Sequence, residues 1–273
     1  MFQQRRHQTN IGGLLVMAEV LFHSIVRRIR SKHNNALIAL GMSLMQVVTF
    51  VAVFYFMFAM MGMRSAAVRG DIILYIMSGI MLFMLQNKTI SAVAGAAGLN
   101  DPMMMHSPMN SIISIAAAAL STLYLQVLTM GIILLGYHII FTPVYIEDPI
   151  GAMGMVLLSW FSGVSIGLLL LGFQPWFPSI TGILRTVYQR ANMIASGKMF
   201  LANTLPTSML VMFDWNPLFH IIDQSRGFVF INYNPHFTNW QYAFWVSVVF
   251  IVIGLMGEFF TRRRISLSWN ARR

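Results

Sequence analysis

Apolar residues along this chain come in long blocks rather than in short alternations. Blocks at 37–61, 72–98, 112–141, 151–173 and 240–260 each reach the length needed to cross a hydrocarbon core, which takes about 20 helical residues for about 30 Å. The first carries no charge, the second only Lys88, and the third and fourth nothing beyond His138. A weaker block at 179–200 contains Arg185, Arg190 and Lys198. The pattern therefore predicts an all-α integral membrane protein with six transmembrane helices, 179–200 being the fifth. Residues 201–239, between spans five and six, mix apolar stretches with Asn, Pro and Asp. Ahead of the first span, Leu14, Ala18, Leu21, Phe22, Ile25 and Ile29 recur at helical spacing. Glu19, His23, Arg27 and Arg30 collect opposite them, which predicts an amphipathic helix lying in the cytoplasmic interface. The expected organisation is a cytoplasmic N-terminal segment at 1–36, a six-span domain at 37–261 and a basic tail at 262–273.

Composition sharpens the class. Hydrophobic residues make up 57% of the 273 and charged residues 10%, where a soluble domain carries about 25% charged. The net charge of +10 is no nucleic-acid signal, because the basic residues gather at the chain ends. Arg5, Arg6, Arg27, Arg28, Arg30 and Lys32 precede the first span, and Arg262, Arg263, Arg264, Arg272 and Arg273 follow the last. Such flanking charge reports topology and places both termini in the cytoplasm. The loop around 101–110 then faces the cytoplasm, and 142–150 faces outward. The first ten residues are polar and no short apolar core with a cleavage site follows, so a cleavable secretory signal is not expected.

Enzyme chemistry finds little to use. Cysteine is absent, and the seven histidines form no His-x-x-x-His pair, so neither a metal centre nor a cysteine nucleophile is expected. Gly197-Lys198 is followed by Met199 rather than Ser or Thr, so no phosphate-binding loop is present. No catalytic residue and no cofactor is assigned to this chain. Ser196 lacks the Gly two residues earlier that an intramembrane serine protease would carry. The methionine and aromatic richness fits helix packing and lipid contact before it fits any pathway.

The C-terminal third is more specific. Ser196-Gly197, Leu205-Pro206, Trp215-Asn216-Pro217-Leu218, Ile221-Ile222-Asp223 and Arg226 follow one another in an order and spacing that resembles the membrane subunits of type-2 ABC exporters. The capsular polysaccharide and O-antigen exporters are the nearest in pattern. The resemblance runs from about Glu19 to Arg264, and it implies short re-entrant helices between spans five and six, with Pro206, Asn216, Pro217, Asp223 and Arg226 in that outer region. It also implies that Arg27 and Arg28 on the interface helix, and Asn100, Asp101 and Pro102 in a coupling loop, meet a separate ATP-binding subunit. The function expected is export of a lipid-linked polysaccharide across the bacterial inner membrane by a homodimeric permease. ATP would be bound on the partner subunit, and a periplasmic or outer-membrane partner would receive the glycan. Two departures weigh on the substrate class: 41–48 has neither the Trp nor the Pro usual early in span one, and Lys198 stands where an apolar residue follows Ser-Gly. Export of a drug or small lipid, and a membrane anchor with no transport path, stay open.

The residues themselves support part of this. Non-helical backbone at membrane depth persists only where protein or a watery cavity surrounds it. Asn216 can cap a helix that begins at Pro217, and Asp223 and Arg226 can pair across one turn. An ordinary outer loop is the alternative. Arg190 falls about 16 Å into the fifth span at 1.5 Å per residue, where a cation usually faces a protein interior or cavity. Lys198, eight residues on and about 80° around the helix, shares a broad face with it. Arg190 and Lys198 are thus the pathway candidates. For Arg190 the competing readings are pairing to a neighbouring helix, or a broken span that leaves it near the cytoplasmic surface. For Lys198 the competing reading is snorkelling to water at the span's end.

Overall fold

The computed structural model describes residues 10–31, 36–60, 62, 71–96 and 111–270. The described residues contain helices and turns but no strand. The helices are α1 (Asn10–Ser31), α2 (Ala36–Met60), α3 (Ile72–Ala94), α4 (Ser111–Ile140), α5 (Pro149–Phe173), α6 (Pro178–Ala195), α7 (Thr207–Phe213), α8 (Pro217–Val229) and α9 (Trp240–Asn270). Their starts follow from local chemistry. Asp71 caps α3 by accepting from the Ile73 amide, and Asp148 caps α5 by accepting from the Ile150 and Gly151 amides. Pro149 and Pro178 supply first-turn residues whose missing N–H costs nothing there. After α2 the chain turns at Gly62, with φ 76°, a region open to glycine.

Among the described residues, five helices are long and apolar enough to cross a membrane: α2, α3, α4, α5 and the Trp240–Phe260 part of α9. This marks a multi-pass membrane protein. The expected fifth span is the exception. Its helix, α6, stops at Ala195, and Gly197 at φ 72° turns the chain where a straight helix through Phe200 was expected. Arg185 and Arg190 also lower its apolar character. An amphipathic 18-residue helix followed by turns and a short 3-10 helix at Ala202–Thr204 stands where a sixth apolar span was expected.

Contacts set the directions. Ser159 of α5 donates to the Leu82 carbonyl of α3, and Gln86 to Ser162, so α3 and α5 run parallel. Ser114 donates to the Ala96 carbonyl, Lys88 to Gln126 and Tyr137 to Asp71, so α4 runs antiparallel to α3 and hence to α5. Lys88 also donates to Ser43, placing the start of α2 beside the later half of α3. In α6, Gln189 donates to Asn87 and Ser91 and Asn192 to Gln86, so α6 ascends against α3. Phe244 stacks on Phe161 and Phe260 on Trp176, so α9 descends beside α5. Six segments thus alternate in direction even though one is a short, polar helix. Arg28 of α1 donates to the Ala96 carbonyl and to Ser114, joining α1 to the end where α3 finishes and α4 starts. Arg27 on the same helix is exposed. Asn100, Asp101 and Pro102 lie outside the described residues.

The core is centred on α3, whose residues from Leu74 to Gln86 are almost all buried. Glycines on α5 let it approach closely. A Cβ at Gly163 would stand 2.8 Å from Thr89 Cβ, and one at Gly167 would stand 2.7 Å from Val93 Cβ. Small residues at such seams are how helices associate in lipid, where apolar side chains gain little by leaving it.

Candidate functional site: a folded-back helix and its buried cations

Helix α8 is short, 13 residues or about 20 Å, and most of its surface is enclosed by protein. Its start lies deep. Asn216 Oδ1 accepts from the Leu218 amide, as a cap should, and Pro217 occupies the first turn. The Asn216 amide nitrogen donates to Asn192 Oδ1 at 2.7 Å and to the Ala195 carbonyl at 2.9 Å. Asn192 donates in turn to Gln86 Oε1 at 2.7 Å, and Gln86 to Ser162 at 2.9 Å. This relay of amides ties α8, α6, α3 and α5 together beyond the midpoint of α3. From there α8 climbs until Arg226 lies over the ring of Tyr75, in the first turn of α3. Eleven residues of α3 separate those levels, about 16 Å. The helix enters the bundle from the end where α3 and α5 begin and does not cross it.

Arg226 is fully buried. Its guanidinium donates to the Gly197 carbonyl at 2.8 Å, the Phe200 carbonyl at 2.7 Å and the Lys198 carbonyl at 2.7 Å. It therefore holds the turn that ends α6, supplying the donors that the broken helix no longer provides. Space for this comes from two glycines. A Cβ at Gly79 would stand 3.0 Å from both an Arg226 nitrogen and Lys198 Cα, and one at Gly197 would stand 2.6 Å from the Phe219 ring.

Asp223 does not pair with Arg226, contrary to the spacing argument. Its carboxylate accepts from the Ala202 amide at 3.1 Å, Tyr233 at 2.5 Å and Thr238 at 2.8 Å. Its donors come from two returning segments, Ala202 on one and Tyr233 and Thr238 on the other, and Arg226 binds the first of these at 197–200. Burial, then the adjacent carboxylate, pushes the Tyr233 hydroxyl above its ordinary value, so it stays protonated and donates. His220 joins the region to α9: its Nδ1 accepts from the Asn239 amide, which leaves Nε2 as the donor facing the Asp214 carbonyl at 2.7 Å. Two clefts, of about 230 and 420 Å³, flank the loop after α8, one beside Asp71 and Tyr137, the other beside Glu147 and Asp148.

No family model matches the sequence, and no curated protein matches it.

The remaining candidates fall apart from one another. Arg190 is exposed on the outward side of α6, whereas Lys198 is 2% exposed and points inward. The shared face assumed a helix continuing to 200; because α6 ends at Ala195, the 80° relation does not hold. Nor does Lys198 reach water at the helix end. Pro206 is exposed at the start of α7, a helix with no buried residue. Gln86, Asn192, Ser162, Tyr75 and Gly79 were missed by motif reading. The polar ones carried a signal, since a lone amide inside an apolar block seeks a partner on another helix. Gly79 and Tyr75 carried none.

Proposed function

We propose that this chain is the permease subunit of a type-2 ABC exporter, working as a homodimer with a separate ATP-binding subunit and moving a lipid-linked polysaccharide across the bacterial inner membrane. One observation carries the reading: a capped 13-residue helix folded back to mid-depth between α6 and α9, with Asn216-Pro217 at its tip. Backbone of this kind survives at membrane depth only when protein or a watery path surrounds it, which suits a gate at the outer end of a pathway. The alternating directions of α2 to α6 and α9 support six crossing segments with both termini cytoplasmic. Pro206, Asn216, Pro217, Asp223 and Arg226 belong to this outer gate. At the other end, α1 with exposed Arg27 is the surface offered to the ATPase, and Asn100, Asp101 and Pro102 are assigned to the same contact by the sequence resemblance alone. ATP-driven movement there would switch the pathway between two arrangements.

Tagged chain purified from its native membranes should retain an ATP-binding subunit. Cells lacking the chain should keep finished lipid-linked glycan inside and lose it from the surface. Recovery without any ATP-binding partner, together with unchanged surface glycan, would sink the exporter reading. Accumulation of a small lipid or drug in place of glycan would redirect it to the related exporters.

A further inference from the structure

We propose that Lys198 is an anion-recognition point, closed in this state by aromatic rings and exposed when α2 moves aside, and that its ligand is a phosphate-type group carried within the membrane. The Lys198 ammonium is enclosed and makes no hydrogen bond among the described residues. Its neighbours are ring faces, Phe83 of α3 with its centroid at 3.6 Å and Phe54 of α2 at 5.0 Å. An ammonium carries three donors, and ring faces replace only part of the hydration it loses. Among the described residues no carboxylate forms an ion pair with it, and Asp223, the buried carboxylate of α8, is bound instead by Ala202, Tyr233 and Thr238. The group is nonetheless held in place. Its carbonyl is bound by Arg226, and glycine at position 79 makes the room for its Cα. Ser196 Oγ and Arg226 Nε, on the same turn and its brace, are likewise buried without partners. A rigidly positioned, uncompensated cation beside further unused donors is the arrangement an arriving anion completes.

The cover is lightly held, its side-chain ties to α3 and α4 converging on Ser43. Of α2, only Val47, Phe54 and Phe58 are buried, so displacing this one helix lifts the Phe54 face from the ammonium. Two sources can bring the anion, the diphosphate of a lipid-linked substrate or a phospholipid headgroup. The choice between them rests on the permease reading; the site itself does not.

The full chain in phosphatidylcholine vesicles, with no ATPase added, tests the site using farnesyl diphosphate as probe and farnesol as its uncharged control. The expected result is saturable binding of the diphosphate but not of farnesol, weakened roughly tenfold or more in Lys198→Met and largely kept in Lys198→Arg. Lys198→Met should also raise the thermal midpoint without ligand, because it removes a buried uncompensated charge at similar volume. Adding phosphatidylglycerol separates the sources: competition with the probe assigns the site to lipid headgroups, and no competition assigns it to the substrate. Equal probe affinity in Lys198→Met and wild type, or binding of farnesol as strong as of the diphosphate, would overturn the proposal. A lower thermal midpoint in Lys198→Met would do so too, since the lysine would then be structural. Because no ATPase takes part, these results stand or fall separately from the exporter reading.

Discussion

Helices α8 and α9 pack against the same α5 yet are kept there by different chemistry. Helix α9 approaches α5 through glycines: a Cβ at Gly254 would stand 2.8 Å from the Leu168 carbonyl carbon, and Gly257 faces Gly172. Helix α8 is instead fastened by polar groups, the Asn216 cap and amide relay at its tip and Arg226 near its far end. The difference follows from length. The Trp240–Phe260 part of α9 is long enough to span, so its backbone satisfies itself and only close packing is needed to fix its position. Helix α8 is too short to cross, and its start falls inside the bundle with no bulk water to complete it. A short helix in such a place must bring its own donors and acceptors, so α8 is dense in hydrogen-bonding side chains and α9 is not.

The largest effect should come from breaking the polar fastening. Replacing Arg226 by Met strands the buried Lys198 carbonyl and the half-buried Phe200 carbonyl, and leaves the Gly197 carbonyl with the Phe200 amide alone. Leaving buried groups unpaired costs about 1–3 kcal/mol each before relaxation, so two such carbonyls cost about 2–6 kcal/mol. We expect a loss in that range, read as the shift in unfolding free energy in detergent micelles. Arg226→Lys should recover only part, because an ammonium lacks the planar fork that serves several carbonyls at once. Full recovery by lysine would mean that charge alone, not geometry, fastens the turn.

These two regions also differ in how far the sequence disclosed them. The apolar blocks of α2, α3, α4, α5 and α9 were legible because crossing a membrane imposes a length and a composition. The tip of α8 was legible for a local reason, Asn before Pro at a helix start. The partners of Asp223 and Arg226 were not. Spacing brought the two together on one helix, but each is satisfied by backbone or side chains that return from 197–202 and 233–238. Lys198 was misplaced by the same cause: the end of α6 at Ala195 depends on the turn that Arg226 holds from 28 residues away.

A smaller effect should follow from disturbing the α5–α9 seam. In Gly254→Ala the new methyl would meet the Leu168 carbonyl carbon at 2.8 Å and the Leu169 nitrogen at 2.9 Å. These are backbone atoms, so no rotamer change relieves the clash, and the helices must separate. Overpacking of this kind costs about 1–3 kcal/mol. Trimming Leu168 to Ala in the same chain should not rescue it, since the obstructing backbone stays. Rescue by that second change would show that the Leu168 side chain, rather than the helix axis, sets the spacing.

The smallest effect should appear three residues along the same helix. At Gly257 an added Cβ would meet Gly172 Cα at 3.4 Å and nothing nearer, an ordinary contact distance. The backbones have already diverged enough to admit one methyl group there. Alanine in a helix interior is favoured over glycine by about 1 kcal/mol in water, so Gly257→Ala should be neutral or stabilising by up to about that amount. The useful quantity is the difference between the two alanine variants, measured in the same micelles. A gap of about 1 kcal/mol or more, with Gly254→Ala the weaker protein, locates the closest approach of α5 and α9 at Leu168. If Gly257→Ala loses as much as Gly254→Ala, the seam is equally tight at both levels. The pairing of Gly172 with Gly257 would then be a second fastening of α9 and not slack in its packing.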